Sequence, residues 1–179
     1  MISELAIIPE CYVDTNLIET LVPPHRGYNH QKGCGTVTKV MQKDFADSFA
    51  IGIIDKDKQQ VDYLKEFKVV IEKGSLTLHK HPQKHHYIIQ INPAIERFLM
   101  KAANATGISL SDHDLPEVLA SLTKISKSVS SKTDNRFKKL VRAIRNVGYD
   151  EFTTLTNWIT YLTAFGYDSD MNELKDYDN

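Results

Sequence analysis

The sequence predicts an α/β protein in which a mainly parallel sheet is flanked by helices and followed by an all-helical C-terminal portion. Short, continuous apolar runs, typical of buried parallel strands, recur in the first half of the chain. Stretches with helical periodicity separate these runs. Beyond Asn92-Pro93, every periodic stretch is helical. We therefore expect an α/β domain over residues 1–100 and a helical portion over residues 101–179 that packs on it.

In the first half, the predicted elements alternate between strand and helix. Residues 4–9 form a short apolar strand, and Asp14 or Asn16 then caps a helix that Pro23-Pro24 ends. A polar loop over residues 23–35 follows. The next elements are a helix, a strand, a short helix and two further strands, at residues 36–47, 49–54, 60–66, 67–72 and 87–91. The His-rich segment between the last two strands is expected to be a hairpin or a loop.

In the second half, the pattern is helical throughout. Pro93 suits the first turn of a helix that continues through Leu99. Further helices are predicted at residues 116–126, 135–147 and 151–164. After Gly166 the chain is acidic and poor in apolar residues, so this end is predicted to fray.

The composition is that of an ordinary globular protein, with 41% hydrophobic and 25% charged residues among 179. No apolar run approaches the roughly 20 residues that span a bilayer, and the first residues are too short and too acidic a stretch for a signal peptide. Two cysteines, Cys11 and Cys34, exclude a disulfide framework and a four-cysteine zinc site. We expect a cytoplasmic protein without membrane partners.

The net charge of −1 conceals an uneven distribution. Residues 124–145 carry eight basic side chains and one acid, Asp134. In the helix predicted at 135–147, an apolar stripe leaves four cations on the exposed side: Lys138, Lys139, Arg142 and Arg145. Such a face suits a phosphate backbone, although many charged faces are only solvated. We predict nucleic-acid contact here.

Acidic side chains follow two of the predicted strands. Glu10 comes after the first strand, and Asp55 and Asp57 come after the central one. In a parallel sheet, ligands bind outside the carboxyl ends of the strands, so these acids are expected at one edge. Clustered carboxylates either raise one another's pKa or bind a divalent cation, and hard oxygen ligands favour Mg²⁺ or Mn²⁺. The alternative is that they only cap helices or form turns.

Three segments resemble the toprim domain shared by topoisomerases, primases and OLD-type nucleases. Glu10-Cys-Tyr-Val-Asp14 follows a strand, as does Ile53-Ile54-Asp55-Lys56-Asp57. The family has a strand-end Glu, usually followed by Gly, an acid four residues on, and a later strand-end Asp-x-Asp; this chain has Cys11 at the Gly position. Ile91-Asn-Pro-Ala-Ile-Glu-Arg-Phe-Leu99 is similar to the Asn-Pro-x-x-Glu-x-x-Leu segment of small RloB-like toprim proteins. The resemblance covers roughly residues 4 to 100.

The resemblance implies phosphodiester chemistry assisted by Mg²⁺ or Mn²⁺. It implies metal ligands at five acids: Glu10, Asp14, Asp55, Asp57 and Glu96. Of these, Glu10, Asp55 and Asp57 would be catalytic. Each of two residues has a structural alternative to metal binding. Asp14 would instead cap a helix, and Glu96 would instead be an acid that the helix dipole favours in the first turn. Lys56 and Lys58 would meet substrate phosphate or remain solvated.

Three functions follow from these patterns. The first is a metal-dependent toprim-type nuclease in phage defence or DNA repair, with DNA favoured over RNA. The second is a non-catalytic module that binds nucleic acid or a partner ATPase. The third is a small-molecule phosphatase with a coincidental Asp-x-Asp. The last predicted helix, with Trp158, is either core or a homodimer interface.

The segment Leu78–Tyr87 carries four histidines. His79 and His81 would share one face of a strand, and a hairpin would bring His85 or His86 opposite, so a transition-metal site can be drawn. The lysines between them favour the alternative, a basic hairpin that contacts nucleic acid.

Overall fold

The computed structural model describes residues 2–56 and 61–177. Asp57 and Lys58 lie outside the described residues, so the roles predicted for them stay predictions.

The described residues form one five-stranded mixed sheet in the order β1-β2-β5-β4-β3. The strands are β1 (Ile7–Pro9), β2 (Ala50–Asp55), β3 (Lys68–Lys73), β4 (Leu76–Lys80) and β5 (His86–Ile91). β1, β2 and β5 are mutually parallel, whereas β4 pairs antiparallel with both β5 and β3. The α/β class is confirmed. The prediction of a mainly parallel sheet is wrong for the β3–β4 side.

The antiparallel side arises from β4, which lies where the sequence predicts only a hairpin or a loop. Leu76 and Leu78 of β4 are fully buried, while Thr77 between them is partly exposed. This alternation with period two is typical of a half-buried strand. Gly74, at φ +60°, makes the tight turn from β3, so β4 must run back along it.

Seven α-helices are present in residues 2–56 and 61–177. They are α1 (Tyr12–Leu21), α2 (Cys34–Asp44), α3 (Ile95–Thr106), α4 (Leu119–Ser126), α5 (Asn135–Val147), α6 (Asp150–Phe165) and α7 (Met171–Tyr177). The helices predicted at 135–147 and 151–164 agree closely with α5 and α6. Residues 4–6 and 62–66 are short 3₁₀ helices. None of the helices in the described ranges is both long and apolar enough to cross a membrane.

The chain end predicted to fray forms α7 instead. Its Leu174 is fully buried, and the Tyr161 hydroxyl donates to Glu173 Oε2 at 3.0 Å. Met171 also packs against the core and Tyr177 contacts the Tyr161 ring, so α7 forms on a surface that other helices provide and that no local pattern reveals.

The largest core cluster joins the sheet to helices from both halves of the chain. Within it, α1 packs against α5, and the buried Asn16 of α1 donates from Nδ2 to the carbonyls of Ser131 (2.7 Å) and Asp134 (3.1 Å). A smaller cluster on the opposite sheet face includes α2. The boundary at residue 100 stays a prediction.

A buried carboxylate joins α6, α3 and the turn before β4. Glu151 of α6 accepts from Lys101 Nζ of α3 at 2.5 Å and from the Ser75 N–H at 2.8 Å, just before β4. The Tyr149 hydroxyl donates to it at 3.0 Å. Glu151 is only 8% exposed, so this cluster holds the β3–β4 turn against the helices.

Gly52, in the middle of β2, allows α2 to approach the sheet closely. A Cβ at this position would lie 2.8 Å from Met41 Sδ and 3.0 Å from Val37 Cγ1. We expect Gly52→Val to lower the free energy of unfolding by about 1–3 kcal/mol through overpacking, as measured by urea denaturation. The matched change Gly35→Ala meets nothing within 4 Å and should raise stability by up to about 1 kcal/mol. Equal stabilities for Gly52→Val and wild type would contradict this explanation of the glycine.

Candidate active site at the carboxyl edge of the sheet

Glu10 and Asp55 meet at the edge where the parallel strands end. The register pairs Pro9 of β1 with Ile53 of β2, so Glu10 follows directly beside the end of β2. The Glu10 N–H donates to the Ile53 carbonyl at 2.9 Å, and Glu10 Oε2 accepts from the Asp55 N–H at 2.9 Å. Two acids that are 45 positions apart in the chain are thereby fixed at one edge.

Asp55 also caps the helix that follows β5. Its Oδ1 accepts from the N–H of Ile95, the first residue of α3, at 3.0 Å. Ala94, which precedes that helix, makes no side-chain cap. Asp55 therefore does cap a helix, as the alternative prediction had it. This bond holds the first turn of α3 at the edge. Glu96 lies in that turn, and its Oε1 accepts from the Ser126 hydroxyl at the end of α4.

Asp14 lies at the third position of α1 and takes part in a capping box. Its Oδ2 accepts from the Cys11 N–H at 3.1 Å, while its own N–H donates to Cys11 Sγ at 3.4 Å. The N-cap is Cys11, so the prediction that Asp14 or Asn16 holds that position is wrong, although Asp14 completes the capping box from inside the helix. The second oxygen, Oδ1, is buried and has no hydrogen-bond partner among residues 2–56 and 61–177. A buried acceptor without a donor costs free energy, which a proton on it or a nearby cation would offset.

The acids at this edge act on one another electrostatically. Burial raises the pKa of Asp14 to about 7, and repulsion from Glu10 and Glu96 adds to this rise. Burial likewise raises the pKa of Asp55 to about 10, with further repulsion from Asp14, Glu10 and Glu96. Clustered carboxylates of this kind must take up either protons or a cation.

The donor set suits a hard divalent cation, although no complete cage is present. Among residues 2–56 and 61–177, no group of three or more His, Cys, Asp or Glu side chains is arranged to hold a metal ion. Mg²⁺ does not require such a cage, because it commonly binds one or two carboxylates together with water and substrate phosphate. Glu10 and Asp55 are the candidates for that pair, and Asp14 Oδ1, which has no hydrogen-bond partner among the described residues, favours a positive charge close by.

A cavity of about 670 Å³ opens over this edge. Glu10, Asp55 and Glu96 line it on one side, and α4 with the residue after it forms a wall through Thr123, Ser126 and Lys127. Lys127 belongs to the basic segment of residues 124–145, but nothing in the sequence predicts that α4 faces the acids. The cavity-lining cations Lys32 and Arg97 are also missed, since solvated lysines and arginines carry no local signal.

The four cations predicted to bind nucleic acid lie elsewhere. Lys139, Arg142 and Arg145 of α5 are exposed, Lys138 is half-buried, and none of the four lines the cavity. Arg145 Nη1 donates to the Leu21 carbonyl at 3.4 Å, at the C-terminal end of α1. Asp14 is at the N-terminal end of that helix.

Lys56, which follows Asp55, is exposed at a separate groove between β3, β4 and β5. It does not line the cavity over Glu10 and Asp55.

His30 also lines the cavity, although nothing in the sequence marks it as a site residue. Its ring stacks on Tyr12 with centroids 4.4 Å apart, and its Nδ1 lies 3.0 Å from Thr15 Oγ1. The Thr15 hydroxyl also lies 2.8 Å from the Cys11 carbonyl, an arrangement that suits a proton on His30 Nδ1. Nε2 is buried and has no partner within the part of the chain that the structure describes.

Neither cysteine chemistry nor a histidine metal site is supported. Burial raises the pKa of the Cys11 thiol far above its ordinary value, so the thiol stays protonated and unreactive. His79 pairs with Gln90, and His81 pairs with Glu66. His86 is held between the Tyr63 hydroxyl and the Phe45 carbonyl. His85 packs edge-on against Tyr167 with ring centroids 4.8 Å apart, so each of the four histidines is engaged within the protein.

No protein-family model, curated protein or solved structure matches this chain. The resemblance to toprim domains therefore rests on the residues quoted for it and on the edge that they form.

We expect the metal-free protein to lose stability between about pH 7 and pH 9. Asp55 has a pKa of about 10 in the folded state, against about 3.9 when unfolded. The unfolded chain therefore holds fewer protons in this range, and the free energy of unfolding falls as pH rises. Asp14, with a pKa of about 7, contributes mainly at lower pH. Burial lowers the pKa of His30, His79 and His86, and these act in the opposite direction only below about pH 6.5.

Thermal unfolding in EDTA at several pH values across this range measures the effect. Mg²⁺ should reduce the slope, because it stabilises the ionised carboxylates. A stability that is constant or rises over the same range would contradict the assignment of a raised pKa to Asp55.

Proposed function

We propose that this chain is a Mg²⁺- or Mn²⁺-dependent enzyme of toprim type that cleaves phosphodiester bonds in nucleic acid. The observation that carries the proposal is the direct contact between Glu10 and Asp55, the Glu10 carboxylate accepting from the Asp55 N–H at 2.9 Å. The resemblance assigns metal ligands to the same two residues. Their distance in the chain makes a purely local capping explanation insufficient for Glu10.

The chain's own residues have distinct parts in this proposal. Glu10 and Asp55 would hold the cation, and Asp14, Glu96 and Asp57 would complete or stabilise its surroundings. A bound Mg²⁺ or Mn²⁺ would polarise the phosphate and activate water. The backbone N–H groups of Asp55 and Ile95 fix the carboxylates before substrate arrives. Such fixed groups need no rearrangement during the reaction.

The second half of the chain also has a part in the proposed function. We take residues 1–100 as the toprim-like unit and residues 101–179 as a helical portion that closes one side of the site. The contact between Ser126 and Glu96 supports this closure, since it joins α4 to α3. A role in phage defence, a cytoplasmic location, a partner ATPase and a homodimer remain proposals that rest on the resemblance.

A non-catalytic module that binds nucleic acid is the second candidate. It is favoured by one observation: Asp55 and Asp14 each already serve as a helix cap, so both have a structural reason to be present.

A cleavage assay distinguishes these functions. Labelled single-stranded DNA, duplex DNA and RNA, together with mononucleotides, are incubated with the purified chain in Mg²⁺, in Mn²⁺ and in EDTA. We expect cleavage of polynucleotides in either metal and none in EDTA. Binding without turnover would favour the module, and turnover confined to mononucleotides would favour a phosphatase.

A further inference from the structure

Three cations stand around the cavity that contains the acidic edge. Lys32 lies in the loop before α2, Arg97 in the first turn of α3, and Lys127 directly after α4. All three are exposed. None of their side chains has an ion pair or hydrogen bond with any residue in the described ranges.

Within the described residues, no ion pair joins any of these three cations to Asp55 or Glu96. The carboxylates accept hydrogen bonds from other donors: Glu10 from the Asp55 N–H, Asp55 from the Ile95 N–H, and Glu96 from Ser126. A ligand that fits between them needs anionic oxygens for the cations and an electropositive side for the acids. A phosphodiester that shares a divalent cation with the protein has both properties.

The cavity also offers an aromatic surface. Tyr12 lines it and is backed by the stacked ring of His30. Basic side chains combined with an aromatic side chain commonly hold single strands, because the cations contact phosphates and every base has a π-face to stack. The positive end of the α2 dipole, next to Lys32, adds to the field there.

The size of the cavity favours single-stranded nucleic acid over a duplex. The volume of about 670 Å³ lies within the range of small-ligand sites, which is about 300–1,000 Å³. Such a space accepts a strand end or one or two extruded nucleotides, but not the full width of a duplex. The exposed face of α5, which is open to a duplex, does not line this cavity.

We propose that the substrate is a single-stranded segment or strand end of nucleic acid whose phosphates are held by Lys32, Arg97 and Lys127, with a base stacked on Tyr12. The inference rests on the proposed function for its chemistry, but it concerns binding and is tested without turnover. The face formed by Lys138, Lys139, Arg142 and Arg145 has no part in placing the scissile phosphate.

The test compares two triple variants that remove the same charge. One is Lys32→Ala with Arg97→Ala and Lys127→Ala, and the control is Lys139→Ala with Arg142→Ala and Arg145→Ala. Fluorescence anisotropy in EDTA and in Ca²⁺, a hard cation that can neutralise the acids, measures binding of a labelled oligonucleotide of about 12 nucleotides, single-stranded or paired, at several salt concentrations. Circular dichroism and thermal unfolding establish that both variants fold.

We expect the wild type to prefer the single strand and the cavity variant to bind it at least about tenfold more weakly, with a salt slope smaller by about 2. The α5 control should stay within about twofold of wild type. Tyr12→Ala should weaken single-strand binding while leaving the salt slope unchanged. Loss of binding in the α5 control alone, a preference for duplex, or no binding by the wild type would overturn the proposal.

The outcomes also separate this inference from the proposed function. Single-strand binding that depends on the three cations without any metal-dependent cleavage would remove the enzyme and keep the binding site. Metal-dependent cleavage that the cavity variant retains in full would keep the enzyme and remove the binding site.

Discussion

Asp55→Asn is expected to abolish metal-dependent cleavage while leaving the fold at least as stable as in the wild type. The amide keeps an oxygen that can accept from the Ile95 N–H, so the cap of α3 is preserved. It removes the negative charge on which cation binding depends. Because a metal ion contributes several kcal/mol to the stabilisation of the transition state, kcat/KM should fall by a factor on the order of 10³ or more.

The stability of this variant has a predictable sign. Burial and neighbouring carboxylates raise the pKa of Asp55, so the metal-free fold holds Asp55 protonated at neutral pH whereas the unfolded chain ionises it, and this difference opposes folding. A neutral amide needs no such proton, and thermal unfolding in EDTA should show no loss of Tm and a smaller decline of stability than the wild type between about pH 7 and pH 9.

Asp62→Asn is the matched control, since its carboxylate is 94% exposed and pairs only with Lys65 among the described residues. This control should leave both cleavage and stability unchanged. If Asp55→Asn cleaves within tenfold of the wild type in Mg²⁺, Asp55 holds no catalytic cation.

Glu151→Ala should lower the free energy of unfolding by about 3 kcal/mol, the largest loss that we expect from a single polar side chain. Three donors converge on this carboxylate, from Lys101, Ser75 and Tyr149. Hydrogen bonds to a charged group contribute about 1.5–3 kcal/mol each to stability. The bond from Lys101 contributes less than this, because its half-exposed side chain is screened by solvent. The buried Ser75 N–H would also lose its partner.

The pKa of Glu151 determines how its contribution to the free energy of unfolding changes with pH. Burial alone would raise this pKa, but the bonds from Lys101 and the Ser75 N–H lower it below its ordinary value. Glu151 therefore stabilises the fold above the unfolded pKa of about 4.3, and this contribution is lost as pH falls through the lower folded value.

Urea denaturation at pH 7 measures the loss, with Glu173→Ala as control, because Glu173 is exposed and accepts from a single hydroxyl. A loss below about 1 kcal/mol for Glu151→Ala would show that the cluster does not hold the hairpin.

The sequence predicts those parts of the structure that depend on local pattern. The apolar run at 49–54 becomes β2, and the helical period at 135–147 becomes α5. The meeting of Glu10 with Asp55 is also predictable, because the ends of neighbouring parallel strands must coincide. No knowledge of side-chain packing is needed for that step.

What the sequence does not predict depends on contacts between distant segments. β4 and α7 form because other elements offer them a surface, as the buried Leu78 and Leu174 show. The wall that α4 builds over the acids follows from the packing of the second half, and so does the position of Lys127. The separation of α5 from the site is likewise visible only in three dimensions.

The bonds from Asn16 to the Ser131 and Asp134 carbonyls bear on how the chain can be divided. They tie the helix that carries Asp14 to a loop more than a hundred positions away. If the first hundred residues were transplanted into another protein, the carboxylates would come with them, but the buried Asn16 amide would lose both of these acceptors. The acidic edge therefore cannot be moved by itself, and any such exchange would have to include both Asn16 and the segment that contains Ser131 and Asp134.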